Sequence, residues 1–88
     1  MIEKVLQEVH KMTINELASG QAAQIAHVDL LSPYAVRLLE MGFVAGTEIQ
    51  VLARAPLGDA MLLQVRRHTL MLRKEEAQAV HVLPGKSV

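Results

Sequence analysis

This chain of 88 residues has no cysteine, no tryptophan, a single tyrosine, a single phenylalanine and three prolines. Without cysteine it has no disulfide framework, no thiolate metal site and no cysteine nucleophile, as is ordinary in a reducing compartment. Two aromatic rings, Tyr34 and Phe43, are too few to line a polyproline groove or to stack single-stranded nucleic acid. Nine basic residues balance nine acidic ones, so no overall field draws the chain to nucleic acid or to an anionic membrane. No apolar run approaches the roughly 20 residues that span a bilayer. Glu3, Lys4, Glu8, His10 and Lys11 break up the first segment, which therefore lacks a signal-peptide layout. These absences together predict a cytoplasmic protein that does not insert into membranes and is not expected to bind nucleic acid.

What is present is a single compact domain. Apolar residues make up 51% of the chain and charged residues 20%, the balance of a globular fold. Ile2, Val5, Leu6 and Val9 recur at the spacing of one helical face, which predicts an amphipathic N-terminal helix over residues 1–11. Gln21 to Val28 reads as a strand whose imperfect alternation predicts a bulge. Ser32 and Pro33 then open a helix that Gly42 ends, with Val36, Leu38, Leu39 and Met41 as its apolar face. Ala45-Gly46 suits a type II turn, and Ala55-Pro56-Leu57-Gly58 a type I turn. Strands are expected at 47–54, 61–66, 69–72 and 80–83, with a chain reversal at Arg67-His68 and a helical turn at 74–78. Five short strands in so little chain are too few for a sandwich and enough for a mainly β, SH3-like small five-stranded barrel with a helical insertion. That barrel occupies residues 12–84 and leaves residues 85–88 as a tail.

The chemistry-bearing motifs are sparse. There is no GxxxxGK[ST] or GxGxxG phosphate loop and no HExxH helix. A domain of this size without a wide cleft is read as a non-enzyme that requires no cofactor. None of His10, His27, His68 and His81 is one helical turn from another. In an SH3-like barrel, however, the first and last strands pair, which brings His27 and His81 together. With Glu48, or a carboxylate of a neighbouring chain, they form a candidate surface site for Zn²⁺ or Fe²⁺, against the alternative of ordinary surface histidines. Arg66, Arg67, Arg73 and Lys74 gather around one hairpin. They suit a solvated tip, an acidic protein partner, or RNA contact without stacking rings. Leu57 and Asp59 lie in a turn whose geometry the neighbouring glycine and proline already set. They are the residues least needed for folding and candidates to touch a partner, against the alternative that Leu57 folds back onto the barrel and Asp59 merely closes the turn.

Arg37-Leu38-Leu39-Glu40-Met41-Gly42-Phe43-Val44-Ala45-Gly46-Thr47, followed by Ala55-Pro56-Leu57-Gly58-Asp59 and Leu72-Arg73-Lys74-Glu75-Glu76-Ala77, and closed by Val80-His81-Val82, resembles the FeoA-type family. The likeness covers about residues 13 to 83, and its strength lies in the order and spacing of the motifs. Ala45 stands where many relatives have proline, and residues 1–11 extend beyond the family's usual start. The resemblance implies an SH3-like barrel in an accessory protein of bacterial ferrous iron uptake. Such a protein acts by contact with the cytoplasmic part of a FeoB-type membrane transporter, with a homodimer as a further expectation. The docking residues read from the turn and the arginine cluster are Leu57, Asp59, Arg66, Arg67 and Arg73. The rival readings are a small-barrel RNA- or ribosome-associated protein and a metal-bridged sensing module.

Overall fold

The computed structural model describes residues 12–84; the N-terminal helix expected over residues 1–11 and the tail 85–88 lie outside the described residues. A 3-10 turn at Ile14–Glu16 leads into β1 (Ala22–Val28), α1 (Ala35–Glu40), β2 (Glu48–Arg54), β3 (Ala60–Val65), β4 (His68–Arg73), α2 (Lys74–Ala77) and β5 (Val80–Pro84). The strands form one antiparallel sheet in the order β4-β3-β2-β1-β5. First and last strands therefore pair, as an SH3-like topology requires. The expected bulge in β1 falls between Ile25 and His27, and a second, unforeseen one sits in β2 between Val51 and Ala53. Each adds local twist, which helps the short strands bend around a common core.

One face of every strand looks inward. Ala23 and Ile25, Ile49 and Val51, Met61 with Leu63 and Val65, Leu72, and Val80 with Val82 are all buried in a single cluster. Ile14 and Leu17 from the 3-10 turn, Leu38 from α1, and Phe43 complete it. The end strands β4 and β5 are not hydrogen-bonded to each other. The chain crosses between them through α2, whose Glu76 and Ala77 are buried. The cylinder is thus closed on that side by a helical turn rather than by a ladder.

The helix α1 corrects two expectations. Of the expected apolar face of Val36, Leu38, Leu39 and Met41, Val36 is exposed and Leu39 is 38% exposed. Six residues make fewer than two turns, and the residues that reach the core are Ala35 and Leu38, three apart. Val36 and Leu39 stand one step further round, about 100° away, and face outward. Ser32 does take a backbone N–H, but from Tyr34 at 3.1 Å, and the helix proper begins at Ala35. The helix end follows the glycine signal. Gly42, at φ +101°, donates to Leu39 O and Phe43 donates to Leu38 O, each at 3.1 Å. This is the paired bonding of a Schellman end, with Phe43 and Leu38 buried together as its apolar contact. Thr47 N bonds Val44 O across the expected turn, with Gly46 at φ +89°.

A third correction concerns the β3–β4 reversal. Val65 pairs with His68, so the turn residues are Arg66 and Arg67 rather than Arg67 and His68. Arg66 accordingly takes φ +55°, the one positive φ at a non-glycine among the described residues.

Candidate functional site

The Ala55–Gly58 turn forms as its proline and glycine dictate: Gly58 N donates to Ala55 O, and Ala55 N to Ala60 O, both at 2.9 Å. With the backbone satisfied locally, Leu57 has no role in the core and is 90% exposed at the tip. Asp59 beside it is exposed, and its carbonyl accepts from Lys74 N at 3.0 Å. Arg73 lies opposite Ala60 in the β3–β4 ladder. Leu57, Asp59 and Arg73, distant in sequence, therefore share one end of the hairpin. Arg66 and Arg67 occupy its other end, five residue steps along β3, which is about 17 Å. The five candidate docking residues thus form two groups joined by β4 rather than one cluster.

Between the groups runs an apolar strip that sequence reading missed. Ala53 pairs with Leu62 and Leu62 with Met71, which makes a cross-strand row on the outer face of β2, β3 and β4. Met71 is 65% exposed, and with Ala55 and Ala60 the row lines a shallow, almost wholly apolar groove of about 200 Å³. The signal was available in the sequence, since Leu62 and Met71 alternate with the core residues Leu63 and Leu72. Alternation alone shows that two residues lie on opposite faces, not that the outer face stays uncovered. Leu30, Leu31 and Val36, around the start of α1, form a second exposed apolar group.

Arg73 is held by contacts of which the sequence shows only part. Glu76 is only 4% exposed, and its Oε1 accepts from Arg73 N at 2.9 Å. Its Oε2 lies 3.2 Å from Nη1 of Arg37 on α1, whose side chain is 68% exposed. The Arg73-x-x-Glu76 spacing resembles half of a capping box and was legible in principle. The Arg37 partner, nearly forty residues away, was not.

His27 and His81 are direct register partners across β1 and β5, and their rings stack with centroids 4.5 Å apart and planes 9° from parallel. Glu48 does not join them: it pairs with Gln24, further along β1. Among the described residues no group of three His, Cys, Asp or Glu side chains is gathered that could hold a metal ion. The expected trio therefore reduces to a pair, because the strand that carries Glu48 meets β1 only before the bulge.

The architecture and its surfaces define a class: a small SH3-like, mainly β domain with shallow grooves on the outside of the sheet. The chain belongs to the FeoA family, whose FeoA domain model matches residues 12–84. It is 37% identical over 71 residues to an Fe(2+) transport protein A/Fe(2+) transporter FeoB fusion protein of Porphyromonas gingivalis. That match covers 81% of this chain and 8% of the much longer relative. The FeoA-like protein of Clostridium acetobutylicum superposes with a TM-score of 0.79 at 32% identity, covering 83% of this chain and 85% of that one. The FeoA of Stenotrophomonas maltophilia, solved in complex with zinc and described as an SH3 domain protein, superposes with a TM-score of 0.72 at 36% identity. That match covers 81% of this chain and 88% of the other. No helix among the described residues is long and apolar enough to cross a membrane.

Proposed function

We propose that this protein is a non-enzymatic accessory of ferrous iron uptake that docks on the cytoplasmic part of a FeoB-type transporter. The observation that carries the reading is the Porphyromonas gingivalis relative, in which a segment like this chain belongs to the same polypeptide as a FeoB transporter. Fusion holds two partners at an effective concentration in the millimolar range, an arrangement useful when they work in contact. The surface fits such a role: an exposed leucine at a rigid tip, a basic residue beside it and an apolar strip leading away. The same features support action by contact, since docking needs exposed anchors. Retention of the transporter's cytoplasmic part by immobilised protein tests the proposal. Leu57→Asp and Arg73→Glu, each folded by circular dichroism, are expected to abolish retention. Undiminished retention by both variants refutes the surface, and absence of retention by the wild type refutes the partner.

The histidine pair supports a second, subordinate reading as a surface contact for Zn²⁺ or Fe²⁺. The ring lone pairs of two parallel imidazoles run side by side and do not converge. One ring must therefore turn about its Cβ–Cγ bond before both ligate one ion. A carboxylate from a second copy would complete the coordination, which links this reading to a metal-bridged dimer. Calorimetric titration with each ion, on the wild type and on His27→Ala/His81→Ala, decides it: equal heats end the proposal.

A further inference from the structure

Four methionines lie among the described residues, and they differ sharply in exposure. Met61 is 2% exposed inside the barrel, and Met12 and Met41 are partly buried against the core. Met71 alone is exposed, at 65%, because it stands on the outer face of β4 between Leu70 and Leu72, which turn to the core. It also stands between two grooves. On one side it borders the apolar groove with Ala53, Ala55, Ala60 and Leu62. On the other it borders a groove of about 390 Å³ between α1 and the end of β4, with Tyr34, Arg37, Arg73 and Glu76. Among the described residues it is the one that lines both.

A thioether is the softest nucleophile on this surface, since the chain has no cysteine. A hydroperoxide oxidises it in one two-electron step. The sulfur lone pair attacks one peroxide oxygen, an S–O bond forms and the O–O bond breaks. The leaving oxygen takes up the proton that the transferred oxygen gives up, and departs as water or, from an organic hydroperoxide, as an alcohol. Susceptibility follows exposure, which puts Met71 ahead of the other three. The product is a polar sulfoxide in the Ala53–Leu62–Met71 row, where the reduced side chain is apolar. Its oxygen accepts hydrogen bonds, and Arg37 and Arg73, both donors, border the neighbouring groove. The oxidised side chain therefore finds donors on the same surface and has little buried contact to lose, so the barrel stays folded.

We infer that Met71 is a site of reversible oxidation by hydroperoxides, and that its sulfoxide withdraws the apolar strip from the docking surface. The place of the sulfur decides the outcome. Oxidation at Met61 would put a polar group into the core and disrupt the domain, whereas oxidation at Met71 alters the outside alone. Fe²⁺ and peroxide react together to give hydroxyl radical, so a peroxide-sensitive docking residue ties ferrous iron uptake to oxidative conditions. The inference deepens the docking reading above and rests on it for its second half alone.

The test treats the whole folded chain with hydrogen peroxide and follows methionine sulfoxide by peptide mass spectrometry over time. Met71 should be oxidised at least about tenfold faster than Met61, as 65% against 2% exposure implies, with Met12 and Met41 between them. Once Met71 alone of these four is converted, the melting temperature should lie within about 4 °C of the untreated chain. Retention of the transporter's cytoplasmic part should fall about tenfold, the weight of one interface anchor, and return after treatment with methionine sulfoxide reductases. Met71→Leu, similar in volume and without sulfur, should keep its retention through the same treatment. Oxidation of Met12, Met41 or Met61 as fast as Met71 overturns the inference. Undiminished retention by the oxidised wild type, or an equal loss in treated Met71→Leu, overturns it as well. If the untreated chain is not retained at all, the transporter reading fails, and the peptide map alone upholds or overturns the oxidation site.

Discussion

Glu76 is the residue whose replacement most directly tests how α1, α2 and β4 are held together. In Glu76→Ala the part-buried Arg73 N–H loses its acceptor, a loss of about 1–3 kcal/mol for a hydrogen bond to a charged group, cavity included near the upper end. The Arg37 pair adds little, because that guanidinium is 68% exposed and water screens it, leaving about 0–1 kcal/mol. Glu76→Ala is therefore expected to cost about 2–3 kcal/mol in all. Glu76→Gln keeps an oxygen for Arg73 N but turns an amide donor toward Arg37, and should cost about 1 kcal/mol. Arg37→Ala should cost about 1 kcal/mol or less, since the backbone bond to the carboxylate survives. For a domain of this size each kcal/mol moves the melting temperature by about 4–8 °C, so the alanine variant should melt about 8–24 °C lower. Urea unfolding followed by far-ultraviolet circular dichroism is the suitable assay, because the chain has no tryptophan to report by fluorescence. A Glu76→Ala variant within about 0.5 kcal/mol of wild type, or an Arg37→Ala variant as damaged as Glu76→Ala, would refute this account.

Three further outcomes follow from the same physics. Leu57→Asp should change stability by no more than about 0.5 kcal/mol, since the side chain is exposed and the turn is satisfied by its own backbone; a large loss in calorimetry would mean that Leu57 packs. Phe43→Ala should cost about 3–5 kcal/mol and leave much of the chain unfolded near body temperature, because the ring is fully buried at the end of α1; a cooperative transition near the wild-type midpoint would contradict it. Arg66→Gly should stabilise the fold by roughly 0.5–1 kcal/mol, as relief of about 1–2 kcal/mol of left-handed strain outweighs the entropy of a freer unfolded chain; an unchanged or lower melting temperature would remove the argument from strain.

The surface features matter for function in different ways. Leu57 and Arg73 are fixed in place by bonds that run through the backbone: the turn around Pro56, the Lys74–Asp59 contact and the Glu76 carboxylate. Rigid presentation lowers the entropy lost on docking, so a few such anchors suffice. The Arg66-Arg67 corner is also fixed, by the in-register β3–β4 ladder, and it stands at the far end of the same strand.

Local signals in the sequence determined much of this molecule. Gly42 and Gly46 end the helix and shape the next turn because few other residues accept a positive φ there, and Pro56 with Gly58 sets the tip that carries Leu57. The period-two alternation of Ile49 with Val51 and of Leu63 with Val65 marks the inward face of two strands without reference to their pairing. The pairing of His27 with His81 followed from the barrel topology, itself read from the number and length of the strands.

Tertiary structure alone decided the rest. Whether Val36 and Leu39 were buried depended on how a six-residue helix was rotated against the sheet, and apolarity cannot fix that angle. The bulge in β2, the separation of Glu48 from the histidines and the Arg37–Glu76 contact all arise between residues far apart in the chain. A sequence records its preferences over one or two turns of backbone, whereas these features exist only once distant segments share a surface.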